Sequence, residues 1–272
     1  MPRRVYLPML YPGDIPLPPD TAHHLRDVLR LGAGASVELF DAAGNTADGV
    51  LAAGDSPKGE PGGRLLVRVN AVVAATRSAF RCTIASAIPK GNRADWMIEK
   101  LSELGVATLI PLQTGRSVVH PEGAGKIGRW ERLANESAKQ CRRNDVMRIE
   151  PLEKLEAVLD ALAGAAGPEA GPMRPVAWYF STEAGAIPVA EAIARFRGDG
   201  PAREEMSAAG LTCFIGPEGG WTEDEIRRFD AAGVLAVRLT RTILRIETAA
   251  LAAAAVIDSM LERGRDDAAI AD

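Results

Sequence analysis

The sequence predicts an α/β protein in two parts, a small β-rich unit followed by a larger domain built on a mainly parallel sheet. Three observations predict it. The chain has 272 residues, 47% of them apolar, enough for a sizeable core. Short alternating runs separated by turn signals fill residues 3–73. From Phe80 onward, strand-like runs alternate with helical ones, the rhythm of parallel strands joined by crossover helices.

In the first part, residues 5–7 read as a strand and residues 20–31 as a short helix, with Leu25, Val28 and Leu29 on one face and His23, His24, Arg26 and Arg30 elsewhere. Residues 36–41 alternate apolar and polar side chains and run into the turn Gly44-Asn45. Strands at 48–53 and 65–73 flank a Gly/Pro-rich loop at 56–63, and such short strands suggest a small barrel. In the second part, strands are expected at 81–88, 106–112, 176–180, 211–215 and 235–239. Helices are expected at 93–104, closed by Gly105, and at 126–141, 187–195, 223–232 and 247–262. Trp96, Leu101 and Leu104 should face the core, with Lys100 and Glu103 outside. Residues 163–175 and 197–210 read as surface loops.

The formal charge is −4, from 32 basic and 36 acidic side chains. Taken whole, it points away from nucleic acid, because affinity for phosphate comes mainly from Lys and Arg. The regional balance reads otherwise: residues 76–150 hold 13 basic and 8 acidic side chains, whereas residues 151–272 hold 12 and 20. A basic island lies in the middle of an otherwise acidic chain. Cys82, Cys141 and Cys213 form no CxxC pair, which speaks against a zinc site or disulfide framework and fits a cytoplasmic protein. The first residues lack the apolar core of a signal peptide, and the longest apolar run, 249–257, is too short to span a bilayer, so no membrane contact is expected. Three histidines, two of them adjacent, make a His-based metal site or a Ser-His-Asp triad a poor reading, and no metal is expected.

Three stretches can carry chemistry. Ile215-Gly-Pro-Glu-Gly-Gly-Trp-Thr-Glu-Asp-Glu follows one predicted strand and opens a predicted helix. Thr222 and Glu225 have the spacing of a capping box. Gly216, Gly219 and Gly220 permit a sharp turn and close approach of a ligand, at the sheet edge where α/β proteins bind one. The stretch is neither a Walker loop nor GxGxxG; five small or turn-forming residues around Glu218 favour a binding loop over a simple tight turn. In the second stretch, 239–257, the helix is apolar on nearly every face and must be buried on more than one side. Arg245 and Glu247 at its mouth therefore need a partner, whether each other, a neighbouring ion pair or a ligand. The third is the basic island, with Lys90, Arg93, Arg116, Arg142 and Arg143, to which His24, Arg26 and Arg30 add a smaller patch. Such cations at loop starts and helix ends can grip RNA phosphates.

Seven blocks, in order, resemble the ribosomal RNA small-subunit methyltransferase E family. They are His23-His-Leu-Arg-Asp-Val-Leu-Arg-Leu, Lys90-Gly-Asn-Arg-Ala-Asp-Trp-Met-Ile-Glu-Lys, Glu103-Leu-Gly-Val, Arg116-Ser-Val-Val, Gln140-Cys-Arg-Arg-Asn, Ile215-Gly-Pro-Glu-Gly-Gly-Trp and Ile243-Leu-Arg-Ile-Glu-Thr-Ala-Ala. The resemblance implies a PUA-like RNA-binding β-barrel over residues 1–74 and a SPOUT α/β methyltransferase domain over residues 78–272, its C-terminal chain tied into a trefoil knot. Pattern reasoning alone would never propose the knot. The resemblance also implies S-adenosylmethionine as methyl donor, a homodimer through the knotted domain, and methylation of N3 of one uridine in small-subunit ribosomal RNA, naked or in the assembled subunit. The donor would contact Ser181 after one strand, then Ile215, Gly216, Glu218, Gly219 and Gly220, and finally Leu239, Ile243, Leu244 and Arg245. Two positions depart from the family pattern: Gly is usual where Thr240 stands, and Thr is frequent where Ile246 stands.

Uracil N3 carries a proton and is closed off in a paired duplex, so the target base must be single-stranded or turned out of its stack. Catalysis is then mainly positioning, helped by a cation that stabilises the N3 anion and a base that takes the proton. Arg245 is the expected cation and Glu247 the expected base. A competing expectation is a non-catalytic RNA-binding ribosome assembly factor of the same fold, against which the intact blocks at 215–220 and 244–248 speak.

Overall fold

The computed structural model describes residues 3–54, 64–74, 81–119, 121, 124–165, 176–197 and 210–269. The loop expected at 56–63, and nearly all of those expected at 163–175 and 197–210, lie outside the described residues. Two compact units divide the chain: residues 1–77 with 138–146, and residues 78–137 with 147–272.

The first unit is a five-stranded sheet, β1 (Arg3–Tyr6), β2 (Gly13–Pro16), β3 (Ser36–Phe40), β4 (Thr46–Gly54) and β5 (Arg64–Val69), in the order β1-β3-β4-β5-β2. Only the β1–β3 pair is parallel. Alternation puts Val37 and Leu39 of β3 and Ala47 and Leu51 of β4 into one core with Val67 and Val69. Gly49 is required on that face, because a Cβ there would stand 2.5 Å from Val67 Cγ2. The turn after β3 is organised by buried Asp41, whose carboxylate accepts the backbone N–H groups of Leu10, Ala43 and Asn45 and the Asn45 side-chain amide.

The helix expected at 20–31 is shorter. Helix α1 (Pro19–His23) passes into a wider π-type turn, His24–Val28, in which Leu29 N–H bonds to His24 C=O at 3.0 Å. The extra residue in that turn moves Val28 off the apolar stripe. Leu25 stays in the core and Leu29 packs against it, whereas Val28 is 59% exposed, contrary to the sequence expectation.

In the second unit β6 (Cys82–Ser86), α2 (Asn92–Glu103), β7 (Thr108–Gln113) and α3 (Ala124–Cys141), whose last four residues count with the first unit, follow the expected alternation. Next come β8 (Arg148–Ile149), β9 (Glu153–Lys154), α4 (Leu155–Ala165), β10 (Val176–Phe180), β11 (Ile187–Pro188) and α5 (Val189–Arg197). The chain closes with β12 (Leu211–Ile215), α6 (Glu223–Ala231), β13 (Leu235–Arg238) and α7 (Ile246–Ala269). The sheet order is β11-β13-β10-β12-β6-β7-β8, with β9 also on β7, and every pair is parallel. β12, flanked by β10 and β6, is buried at all five positions, as a central parallel strand must be.

Three local expectations change. Trp96 is 47% exposed, because α2 gives the core its Ala94, Met97, Ile98 and Leu101 face and Trp96 falls off that stripe. The helix expected from Ile187 begins two residues later, after the short strand β11. Residues 163–165 end α4, an unforeseen helix although Leu155, Val158, Leu159 and Leu162 carry helical spacing.

Candidate active site

Because β13, β10 and β12 are parallel neighbours, their C-terminal ends lie at one edge, and the segments that follow them lie side by side. These are 181–183, 216–221 and 239–245. Between them is an open cleft of about 270 Å³. The structure brings Ser181, Ile215, Gly216, Glu218, Gly219, Gly220, Leu239, Ile243 and Leu244 together on its lining. Arg245 is not among the lining residues: it is exposed, and its carbonyl accepts the Ala249 N–H at 2.8 Å in the first turn of α7.

The middle segment is held from several sides. Trp221 donates its indole N–H to Phe180 C=O at 3.0 Å and packs edge-on against Phe229, which stacks on Tyr179. Gly216 lies under that indole, so that a Cβ there would come within 2.9 Å of the ring. Thr222 and Glu225 form the expected capping box at the start of α6. Glu225 does more than cap: buried to 6% exposure, it also accepts the Gly115 N–H at 2.8 Å, tying the turn after β7 to α6. The neighbouring Arg116 then reaches the carbonyls of Gly219, at 2.6 Å, and Trp221, at 3.2 Å. Arg116, expected on RNA, thus braces the cleft. Only the sequence spacing of Thr222 and Glu225 hinted at this clasp; the roles of Trp221 and Arg116 had no local signal.

Thr240, one of the two family departures, turns its hydroxyl onto Thr242 C=O at 2.7 Å, closing its own loop. Ile246, the other, is 4% exposed and lines the cleft.

Glu247 does not pair with Arg245. Buried to 5% exposure, its Oε1 accepts from Arg93 Nη1 at 3.2 Å, and its Oε2 is buried without a hydrogen-bond partner among the described residues. The same Arg93 nitrogen is 3.8 Å from Glu218 Oε1. Lys90 and Arg93 line a second cavity, of about 250 Å³.

The remaining expected RNA contacts belong to the first unit. His24, Arg26, Arg30 and Arg142 are exposed. Arg26 is paired with Asp27, and the Arg143 side chain is 10% exposed and bonded to Asp145 at 2.8 Å. Arg4, which no pattern singled out, donates to Arg143 C=O at 3.0 Å and to Asn144 Oδ1 at 2.9 Å, fastening that turn to β1.

The donor set defines what the cleft accepts. Ile215, Leu244, Ile246 and Ala249 supply an apolar surface, Ser181 and Thr242 supply hydroxyls, and Glu183 and Glu218 supply negative charge. Among the described lining residues the one cation is Arg116, and its guanidinium already serves two carbonyls. Such a cleft suits a flat, polar small molecule bearing positive charge and not a phosphate-bearing nucleotide. Among the described residues no cluster of His, Cys, Asp and Glu is arranged to hold a metal, and no helix is long and apolar enough to cross a membrane.

A parallel α/β domain that takes a small ligand over the C-terminal edge of its sheet, joined to a separate β-sheet unit, is the class the fold and cleft define. The chain belongs to the RNA methyltransferase domain family, whose profile matches residues 76–258. A profile for the RNA methyltransferase PUA domain matches residues 17–58. The chain is similar to the ribosomal RNA small subunit methyltransferase E of Bacillus subtilis, with 33% identity over 68% of this chain and 68% of that protein. Its counterpart in Synechocystis is 30% identical over 88% of this chain and 71% of that protein. The solved structure of ribosomal RNA small subunit methyltransferase E from Neisseria gonorrhoeae, bound to S-adenosylmethionine, superposes with a TM-score of 0.74 at 26% identity, covering 96% of this chain and 98% of that one. A Legionella pneumophila methyltransferase structure that also holds S-adenosylmethionine gives a TM-score of 0.73 at 25% identity, over 95% and 98% of the two chains. The resemblance drawn from the seven blocks is borne out, together with the α/β fold and its PUA-like unit.

Proposed function

We propose that this chain transfers a methyl group from S-adenosylmethionine to N3 of one uridine in small-subunit ribosomal RNA. The observation that carries the reading is the cleft over three adjacent strand ends, whose apolar wall and two carboxylates fit this donor. When bound, S-adenosylmethionine supplies an electrophilic methyl on a positively charged sulfur. The chain's own residues do the rest. Ile215, Leu244 and Ile246 offer apolar surface to the adenine, the carboxylates of Glu183 and Glu218 balance positive charge, and Arg116 and Trp221 keep the Gly-rich segment in shape.

The same reading assigns residues 1–74 to RNA binding and 78–272 to methyl transfer, in a cytoplasmic homodimer. The path of the chain supports a knotted C-terminal domain: β13 lies between β11 and β10, and α7 returns to pack on α2, β6 and β12. Trp96, Val118 and Ile243, exposed at 47%, 70% and 79%, are the apolar side chains that a partner copy would cover. His24, Arg30, Lys90 and Arg142 are the proposed phosphate contacts, with Arg26, Arg93, Arg116 and Arg143 constrained by the partners described above.

The test is methyl transfer from labelled S-adenosylmethionine to assembled small subunits and to naked RNA, followed by mapping. A methyl on N3 blocks the pairing edge of uracil, so reverse transcriptase should stop at one position. Methyl on a ribose or another base would overturn the reading. An absence of donor binding in calorimetry would favour the assembly factor. Arg245→Ala should lower transfer while donor binding stays intact.

A further inference from the structure

The second cavity lies in the same unit as the donor cleft and shares Pro217, Glu218 and Ile246 with it. Its remaining walls come from residues 87–90 after β6, from Arg93 in the first turn of α2 and from residues 117–119. Ile88, Pro89, Val118 and Val119 make it apolar on its faces, while Lys90, Arg93 and Ser117 bring polar groups to it. A space with apolar faces and a few fixed polar groups suits a flat heterocycle. Arg93 is held there by two carboxylates, Glu247 at 3.2 Å and Glu218 at 3.8 Å. A guanidinium has five N–H donors in a rigid fork, so two acidic neighbours fix its direction and leave donors to spare.

We propose that this second cavity receives the target uracil, that Arg93 donates to uracil O4 there, and that buried Glu247 is the positioning residue that holds Arg93. The proposal rests on the methyltransferase reading above. As the N3 proton leaves to solvent, the negative charge on the ring spreads to O2 and O4, where a held guanidinium stabilises it. The N3 lone pair then forms the bond to the methyl carbon, and the carbon–sulfur pair returns to sulfur, which becomes a neutral thioether. Cytosine, with an amino donor in place of O4, would meet Arg93 donor to donor, so the same contact selects uracil. Glu247 thereby acquires a role other than the general base expected from the sequence.

The test uses an RNA fragment that the wild-type protein methylates, carrying either uridine or 5-fluorouridine at the target. Fluorine withdraws electrons and makes N3 more acidic. Arg93→Ala should slow single-turnover transfer to uridine by about 100- to 1,000-fold near neutral pH, with donor affinity by calorimetry not reduced, since Glu218 is then free to face the donor. The deficit should shrink by about an order of magnitude with 5-fluorouridine and shrink again as pH rises, because an already acidic N3 needs less help. Arg93→Lys should restore part of the rate, and Glu247→Gln should show a smaller deficit with the same fluorine and pH signature. Without donor, the wild-type protein should bind the uridine fragment more tightly than a cytidine one, and Arg93→Ala should erase that preference. Equal deficits on both uridines at every pH, or a deficit traced to donor binding, would overturn the cavity assignment alone. Failure of the wild-type protein to methylate N3 in any RNA would overturn it together with the function on which it rests.

Discussion

Replacing Glu225 by alanine should destabilise the second unit by about 3 kcal/mol, and the number follows from its three bonds. The carboxylate accepts Thr222 N–H at 2.7 Å, Gly115 N–H at 2.8 Å and the Thr222 hydroxyl at 3.0 Å. Charge-assisted bonds of this kind contribute about 1.5–3 kcal/mol each, and a helix cap alone about 1 kcal/mol. Gly115 is exposed and Thr222 half-buried, so water recovers part of the loss and the net falls below the sum. In a unit of this size about 3 kcal/mol corresponds to a fall in Tm of roughly 6–12 °C. Glu225→Gln separates the capping bond from the clasp: its one carbonyl oxygen can serve Thr222 or Gly115, and its amide confronts the other donor, so it should fall between wild type and alanine. Donor affinity should weaken in parallel, because the Gly115 turn carries the arginine that braces the cleft. If both variants melted within about 2 °C of wild type, a loss under about 1 kcal/mol, the clasp argument would be refuted.

Gly216→Ala should press a methyl into the Trp221 ring and cost about 1–3 kcal/mol of overpacking, read by denaturation, with a loss of donor affinity of about tenfold or more by calorimetry. Arg142 sits at φ 63°, a left-handed conformation that favours glycine. Arg142→Gly should therefore be more stable than Arg142→Ala, which keeps a Cβ in that conformation, by about 1 kcal/mol in denaturation, while RNA affinity drops in both. Arg142→Glu should weaken RNA binding further and flatten its dependence on salt, and an unchanged slope in a filter-binding series would remove Arg142 from the phosphate contacts.

The capping box, the parallel sheet and the strand-to-loop sites of the cleft were legible because each rests on residues close in sequence: a three-residue spacing, an apolar run, a glycine cluster. Partnerships over long separations were not. Arg245 and Glu247 are two residues apart, and nothing in that spacing reveals that the acid belongs to Arg93, 154 positions away. Arg116 stands in a basic island, which suggests a phosphate contact, while its acceptors here are carbonyls more than a hundred positions downstream. The outward turn of Trp96 has the opposite origin: the local pattern contains the answer, in the spacing of Ala94, Met97, Ile98 and Leu101, which outranks the bulk and apolarity of the indole.

The centre of the large sheet joins segments that are made far apart in time. β6 pairs along its whole length with β12, with Cys82 opposite Leu211 and Ser86 opposite Ile215. During synthesis the early βαβ portion emerges with one edge unsatisfied, and it waits for β12 to close it. Pairing over such a separation is slow, since the entropy of the long intervening chain must be lost before any contact is gained. The cleft consequently has no precursor on the folding route: two of its three loops follow the strands that arrive last. Binding of the small ligand thus reports completed folding of the α/β unit, and a ligand present during refolding should act by holding the finished sheet closed and not by hastening its assembly.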